Sequence, residues 1–129
     1  MATRQRIVPV LVYADIAAAR DFLVEAFGFT AGDVRRDDDS GGVHCEVALD
    51  GDIVRLHSVA PHDGLRCVAD LGAASGTLDV FVDDVDEHHD RAAAAGAVVM
   101  HPPTDQLDGL RAYSVADSEG RTWSFSASI

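Results

Sequence analysis

Residues 109–125, GLRAYSVADSEGRTWSF, are the stretch of this chain that says most about its fold. Alternating side chains on both sides of Ser118-Glu119-Gly120 predict two antiparallel strands joined by a turn. Serine and glycine favour such turns, because serine bonds to nearby backbone and glycine accepts left-handed conformations. The second strand turns Trp123 and Phe125 to one face and small polar residues to the other. We therefore expect a hairpin in a sheet with one buried face and one polar face.

A second hairpin is predicted 69 residues earlier in the chain, counted from Gly120 back to Gly51. Asp50-Gly51 separates VHCEVAL (43–49) from IVRLHSV (53–59), and an Asp-Gly pair between alternating strands is a strong signal for a two-residue turn. Each hairpin is preceded by a strand and a helical pattern. The predicted helix caps are Asp15 and Asp84, and the predicted helix ends are Gly28 and Gly96.

The order strand, helix and three strands thus occurs twice, which predicts an internal duplication. We expect a single α+β domain over residues 1–129 that consists of two tandem βαβββ modules. Module 1 spans residues 5–60, a linker spans 61–75, and module 2 spans 76–129. The chain has 129 residues, of which 47% are apolar, and this is enough for one hydrophobic core.

VYADIAAARDFLVEAFGF (12–29) and the passage from Val80 to Phe125 resemble the vicinal oxygen chelate superfamily. This group includes glyoxalase I, bleomycin-resistance proteins, fosfomycin-resistance enzymes and extradiol dioxygenases. The most specific part is the turn that ends at Gly120, although this chain has Ser118 where proline is usual. The resemblance covers nearly the whole chain. It implies sheets that curl around a cleft with the helices outside, a small-molecule ligand and a homodimer.

Strand alternation predicts which side chains face such a cleft. In the first hairpin, Cys45, Val47, Leu49, Val54 and Leu56 form an apolar face suited to packing beneath a helix, so the opposite face is expected to line the cleft. The same alternation, carried into module 2, places Trp123 and Phe125 in the core. The candidate ligand-binding residues are His44, Glu46, Arg55, His57, Asp79, Phe81, Arg111, Tyr113 and Ser124. Whether residues 101–109 close over the cleft as a lid is left open.

The resemblance also implies four positions at which metal-dependent relatives carry their ligands. They lie seven residues before each helix cap and four residues after each hairpin glycine. A valine cannot ligate, a guanidinium repels a cation, and serine and threonine are poor ligands for divalent transition metals. No metal ion, cofactor or catalytic residue is therefore expected. The four positions hold Val8, Arg55, Thr77 and Ser124.

One alternative metal site is compatible with the pattern. His44 and His57 oppose each other across the hairpin, with Glu46 on the same face, and two histidines with a carboxylate are ligands that zinc accepts. The competing interpretation is a cross-strand ion pair between Glu46 and Arg55, with the histidines lining a hydrated cleft.

Charge and cysteine content narrow the choice of partners. The net charge is −12, with 22 acidic residues against 10 arginines and no lysine, which disfavours nucleic acid and anionic membrane surfaces. A cationic or amphipathic small molecule would suit this charge. Cys45 and Cys67 fit neither a zinc motif nor a disulfide framework. The first residues contain no signal-peptide or membrane-spanning run, so we expect a cytoplasmic protein with reduced thiols.

Three functions are compatible with these patterns. The first is a metal-free binding protein, like the bleomycin-resistance proteins, that sequesters a drug or metabolite. The second is a lyase or isomerase that uses the alternative metal site, or a histidine as proton carrier with an arginine holding an anionic substrate. The third is an accessory domain that serves dimerisation. Fold alone does not choose between them.

Overall fold

The structure is a computed structural model that describes residues 5–129. Module 1 contains β1 (Val10–Val12), α1 (Ile16–Phe27), β2 (Thr30–Ala31), β3 (Arg35–Arg36), β4 (Val43–Leu49) and β5 (Asp52–His57). The linker contains a 3₁₀ turn (Pro61–Asp63) and the short helix α2 (Val68–Leu71). Module 2 contains β6 (Leu78–Phe81), α3 (Val85–Ala94), β7 (Val98–Asp105), β8 (Leu110–Ala116) and β9 (Thr122–Ser128).

Two sheets with the same connectivity confirm the predicted α+β fold of two βαβββ modules. In the first sheet the order is β1-β5-β4-β2, with β3 also paired to β4, and in the second it is β6-β9-β8-β7. The first strand of each module runs parallel to the last, and the remaining pairs are antiparallel. The two short strands β2 and β3 therefore take the place that the longer β7 has in module 2.

Both long helices begin at the aspartates that the sequence indicates. The Asp15 carboxylate accepts the backbone N–H of Ala18, and the Asp84 carboxylate accepts that of Glu87. Gly28 ends α1 in the left-handed conformation, at φ 81°, where a side chain would be strained. In module 2 the helix ends one residue earlier than expected, because Ala95 is the capping residue and Gly96 follows it.

A single hydrophobic cluster joins the two sheets through their helices. α1 packs on β4 and β5, α3 packs on β7, β8 and β9, and the two helices contact each other. Phe27, at the end of α1, crosses between the modules and places its ring 4.9 Å from that of Phe125 and 5.6 Å from that of Trp123. The helices thus cover the apolar faces of both sheets, and the polar faces are turned away from this shared core. Within residues 5–129, no helix is long and apolar enough to cross a membrane.

Candidate functional site

The hairpin of module 1 has the register that its Asp-Gly turn predicts. Asp50 and Gly51 both have positive φ, 49° and 88°, as a tight two-residue hairpin turn requires. His44 pairs with His57 and Glu46 with Arg55, while the alternate residues Cys45, Val47, Val54 and Leu56 are buried. The two histidines, the glutamate and the arginine line one open depression of about 550 Å³. We call this surface the module 1 face; it consists of Asp33, Arg35, His44, Glu46, Arg55 and His57.

Arg55 forms an ion pair with Glu46 across the two strands. Its Nη2 lies 2.9 Å and its Nε 3.3 Å from the Glu46 Oε2 atom. Both side chains are nearly half exposed, at 45% and 48%, so the pair contributes little to stability. The structure therefore contains the cross-strand ion pair that the sequence left as one of two interpretations.

The His57 ring is held in one orientation by the carbonyl group of Ser58 and by the loop that contains Gly42. Its Nδ1 lies 2.7 Å from the carbonyl oxygen of Ser58, which only accepts, so Nδ1 carries the proton of that bond. A Cβ on Gly42 would lie 3.3 Å from the His57 Cε1 atom, so the ring packs directly against this loop. The Nε2 atom of the neutral ring consequently carries the lone pair.

Arg35 belongs to the module 1 face but was missed by the sequence pattern. It pairs with His44 across β3 and β4, and its guanidinium forms no hydrogen bond or ion pair within the described residues. A two-residue strand in a polar, glycine-rich stretch has no periodicity that could indicate which way its side chains point.

The polar side of the second sheet forms a separate depression of about 560 Å³. We call it the module 2 face; its residues are Asp79, His101, Ala112, Ser114, Ser124 and Ser126. The hydroxyl of Ser114 is buried and has no hydrogen-bond partner within the described chain. Residues 104–108 form one rim of this face and contribute Asp108. No lining residue is common to the two faces, so one chain presents two separate depressions.

Contrary to expectation, the side chains of Tyr113 and Arg111 point to the helix side of this sheet, although Tyr113 is among the residues that line the depression. Tyr113 pairs with Phe125 on the apolar face, is only 2% exposed, and its ring lies beside that of His88. Arg111 points to the helix side as well, where Nη1 donates to Asp105 and Nε and Nη2 donate to Asp86 of α3. The expectation assumed that side chains alternate in the second hairpin as they do in the first. However, the connection between β8 and β9 has five residues, whereas the connection between β4 and β5 has two. The longer connection shifts β8 by one residue and so exchanges its faces.

Phe81 and Asp79 are exposed along β6, on the side of Ser124 and Ser126. Both also border an open groove of about 450 Å³ between the two modules, opposite Ile7 and Ile53. Phe81 is 66% exposed, which is unusual for a side chain of its size. Of the candidate residues, four line the depression of module 1 and three, Asp79, Tyr113 and Ser124, line that of module 2, where the Tyr113 side chain itself is buried.

The family model for the Glyoxalase/Bleomycin resistance protein/Dioxygenase superfamily matches residues 6–125. The chain belongs to this superfamily. The match covers both modules and confirms the resemblance seen in the sequence.

Individual relatives agree with this assignment. An uncharacterized protein of Mycobacterium bovis is 34% identical over 119 residues, which are 90% of this chain and 78% of the relative. The crystal structure of TioX from Micromonospora sp. ML1 is 33% identical, covers 97% of both chains and superposes with a TM-score of 0.72. The fosfomycin resistance protein FosX from Listeria monocytogenes is 14% identical, with 99% and 96% coverage and a TM-score of 0.70, and shows the shared fold alone.

The residues at the superfamily's metal positions do not fit a metal ion in this chain. Arg55 places a cation there, and its partner Glu46 is already engaged. Val8 offers no donor atom, and the Thr77 hydroxyl donates to the carbonyl oxygen of Thr122. Among residues 5–129, no three His, Cys, Asp or Glu side chains are grouped so that they could hold a metal ion.

Proposed function

We propose that this superfamily member binds an amphipathic small molecule between its polar faces and holds it unchanged, without a metal ion. The observation that carries the proposal is the Glu46–Arg55 ion pair at a position where metal-dependent relatives have a ligand. A guanidinium there supplies fixed positive charge and hydrogen-bond donors in place of a Lewis acid. The aliphatic, hydroxyl and charged groups of the two faces are the mixture that small-molecule sites commonly have.

A homodimer would complete the binding site. Each polar face is an open depression, and the two faces of one chain are turned away from the shared core. A second copy that sets its module 2 face opposite the module 1 face of the first would enclose a ligand. The exposed side chains of Ile7, Val10 and Phe81, beside the unpaired edges of β1 and β6, support such a contact. Asp79 and Asp108 would then suit a cationic or hydroxyl-rich part of the ligand.

A thermal-shift screen with cationic, zwitterionic and neutral amphipathic compounds tests the binding function. We expect hits whose mass is unchanged when they are recovered from the protein. Ala112→Leu should weaken these hits because Ala112 lines the module 2 face, whereas Ala93→Leu, on the exposed side of α3, should not. Absence of any hit, or recovery of a chemically altered compound, would count against sequestration.

Two further measurements test the parts of this proposal separately. Sedimentation velocity should give a dimer, and Phe81→Asp should shift it to monomer. Elemental analysis after incubation with zinc, nickel, manganese or iron should find no stoichiometric metal. One tightly held ion per subunit that is lost on His57→Ala would instead support the alternative His44, Glu46 and His57 site.

An enzyme is the second candidate, and the geometry of His57 favours it. The His57 Nδ1–H donates to the carbonyl oxygen of Ser58, so the Nε2 lone pair is available as a general base. Arg55, on the same face, could stabilise an anionic intermediate. Turnover of a hit that disappears in His57→Gln, while binding persists, would replace sequestration by acid–base catalysis.

A further inference from the structure

Hydrogen-bond donors are concentrated on the module 1 face to a degree that is unusual for this acidic chain. The chain has a net charge of −12, yet two of its ten arginines and two of its six histidines line this single depression. The module 2 face has no arginine among its lining residues. The two faces therefore differ in the ligand chemistry that they favour.

Most of the guanidinium donors on the module 1 face have no partner. Arg35 forms no hydrogen bond or ion pair within the described residues, which leaves all of its N–H groups available. Arg55 uses only Nε and Nη2 towards Glu46, so its Nη1 group points to no acceptor in the described chain. Two guanidinium groups with free N–H edges match the paired oxygens of a carboxylate, phosphate or sulfate.

Each histidine offers one more donor when it is protonated. The neutral His57 ring presents a lone pair at Nε2, which repels an anionic oxygen, and protonation turns the same atom into a donor. His44 lies opposite on β4, and neither of its ring nitrogens has a partner within the described residues. Both rings can therefore offer donors to an anion seated between them.

Three carboxylates keep the module 1 face, without a ligand, from being strongly positive at neutral pH. Glu46 is paired with Arg55, and Asp33 lines the same depression. Asp37 is near His44, and its pKa is lowered chiefly by the backbone N–H of Asp39, so it stays ionised. Together with the two arginines, these carboxylates sum to a charge of −1 when both histidines are neutral and +1 when both are protonated.

We propose that the module 1 face binds the oxyanion group of the ligand, a carboxylate or a tetrahedral dianion, through Arg35, Arg55 and the two histidines. The inference rests on the proposed small-molecule function and names the chemical class of one end of the ligand. Together with the acidic module 2 face, it makes the ligand a zwitterion or an acid with a hydroxyl-rich remainder.

Sulfate is a suitable probe because it keeps its double charge between pH 5 and pH 8. The histidine Cε1–H signals are followed by NMR over this range in sodium sulfate and in sodium chloride of equal ionic strength. We expect sulfate to shift the signals of His44 and His57 and to leave that of His62, in the linker, unchanged. A third series in sodium acetate tests a planar carboxylate against the tetrahedral dianion. The anion that binds more tightly identifies the class of the ligand group.

Arg35 and Arg36 form a matched pair of test positions in the same short strand. Arg35 lines the face, whereas Arg36 donates to the carbonyl oxygen of Gly41. Arg35→Gln should weaken sulfate binding about tenfold, the value of a charge-assisted hydrogen bond, and Arg36→Gln less than about twofold. Equal effects of the two substitutions, or equal shifts of all histidines, would show general charge screening and overturn the proposal.

The outcome of the compound screen separates this inference from the proposed function. If compounds bind but acidic ones are not preferred and sulfate has no effect, the oxyanion site is wrong and small-molecule binding stands. If sulfate binds at Arg35 and no compound in the screen does, the oxyanion site stands and the sequestration function fails.

Discussion

Tyr13 donates its hydroxyl to the Asp117 carboxylate over 2.5 Å, in a buried bond between residues 104 positions apart. Asp117 Oδ2 also accepts the indole N–H of Trp123, and Oδ1 accepts the backbone N–H groups of Glu119 and Arg121. Burial, and then the charge of Asp117, raise the pKa of the Tyr13 hydroxyl, which therefore remains a donor. The most characteristic turn of the sequence thus fastens module 2 to the end of β1.

Glu119 makes a second connection from the same turn. Its two carboxylate oxygens accept the backbone N–H groups of Ala14 and Asp15, at 2.7 and 2.9 Å, directly before α1. These groups precede a helix N-terminus, where a negative charge is favourable. The two acidic residues of the turn therefore have structural partners in module 1, and neither lies on a polar face.

Removing the Asp117 carboxylate should lower stability more than removing the Tyr13 hydroxyl. Tyr13→Phe deletes a single buried bond and should lower the free energy of unfolding by about 1–3 kcal/mol. Asp117→Ala leaves four donors without their acceptor, two of them buried and two partly buried, and should cost about 3–5 kcal/mol. Urea unfolding at pH 7 measures both. The control is Asp90→Ala, whose side chain is 80% exposed, and it should change stability by less than about 0.5 kcal/mol. Equal losses of stability in Tyr13→Phe and Asp117→Ala would contradict this ranking.

His88 should make the fold sensitive to acid. Its Nε2 donates to the carbonyl oxygen of Phe27, so the neutral Nδ1 accepts the Tyr113 hydroxyl, at 2.5 Å. Burial, with a smaller contribution from Arg91, lowers the pKa of His88, and the hydrogen bond to Phe27 opposes this only in part. The unfolded chain then binds the proton more readily than the folded one. The stabilising effect of neutral His88 is complete above its ordinary pKa, about 6.5, and is lost progressively as the pH falls below that value.

His88→Gln is expected to flatten this dependence. The slope of the unfolding free energy against pH between pH 7 and pH 5 should decrease relative to the wild type, while His62→Gln, at an exposed linker histidine, keeps the wild-type slope. Urea titrations at four pH values give these slopes. An unchanged slope in His88→Gln would mean that other groups cause the acid sensitivity.

Local patterns predicted the first hairpin and both helix starts because the information for them is local. The Asp50-Gly51 turn sets the register, so the opposition of His44 to His57 follows from counting. The second hairpin was misjudged because its register depends on the geometry of a five-residue connection, which the residue spacing between modules does not reveal. One misplaced residue exchanged the faces of β8 and moved Tyr113 from the expected cleft into the core.

Other features could not be read from the sequence because they depend on contacts between distant segments. The bond from Tyr13 to Asp117 joins the end of β1 to the last hairpin, and Arg91 of α3 donates to the carbonyl oxygens of Val24 and Glu25 at the end of α1. No periodicity within either segment indicates its partner. Arg35 was missed for a different reason, since its strand is too short to have a pattern.

The corrected orientation of Arg111 leads to a direct comparison with Arg55. Arg111 is bonded to Asp86 and Asp105 on the helix side, and these bonds raise its pKa. Arg111→Gln should leave ligand affinity unchanged within about twofold and the melting temperature nearly unchanged, because exposed ion pairs contribute little. Arg55→Gln, the same chemical change on the module 1 face, should weaken an acidic ligand about tenfold, since a charge-assisted bond is lost. Calorimetric titration with an acidic hit measures both, and a strong effect of Arg111→Gln would return that residue to the site.

Gly42 should control the position of the His57 ring without controlling the fold. An added Cβ would lie 3.2 Å from the Ser40 hydroxyl and 3.3 Å from His57 Cε1, so Gly42→Ala must displace the imidazole or the loop. Its backbone needs no left-handed conformation, and the loop is exposed, so the melting temperature should change little. The sulfate-induced change in the His57 NMR signal should shrink in Gly42→Ala and persist in Gly76→Ala, where a Cβ meets no atom within 4 Å. If both variants keep the full shift, the ring does not depend on the Gly42 loop for its place on the module 1 face, and Ser58 alone orients it.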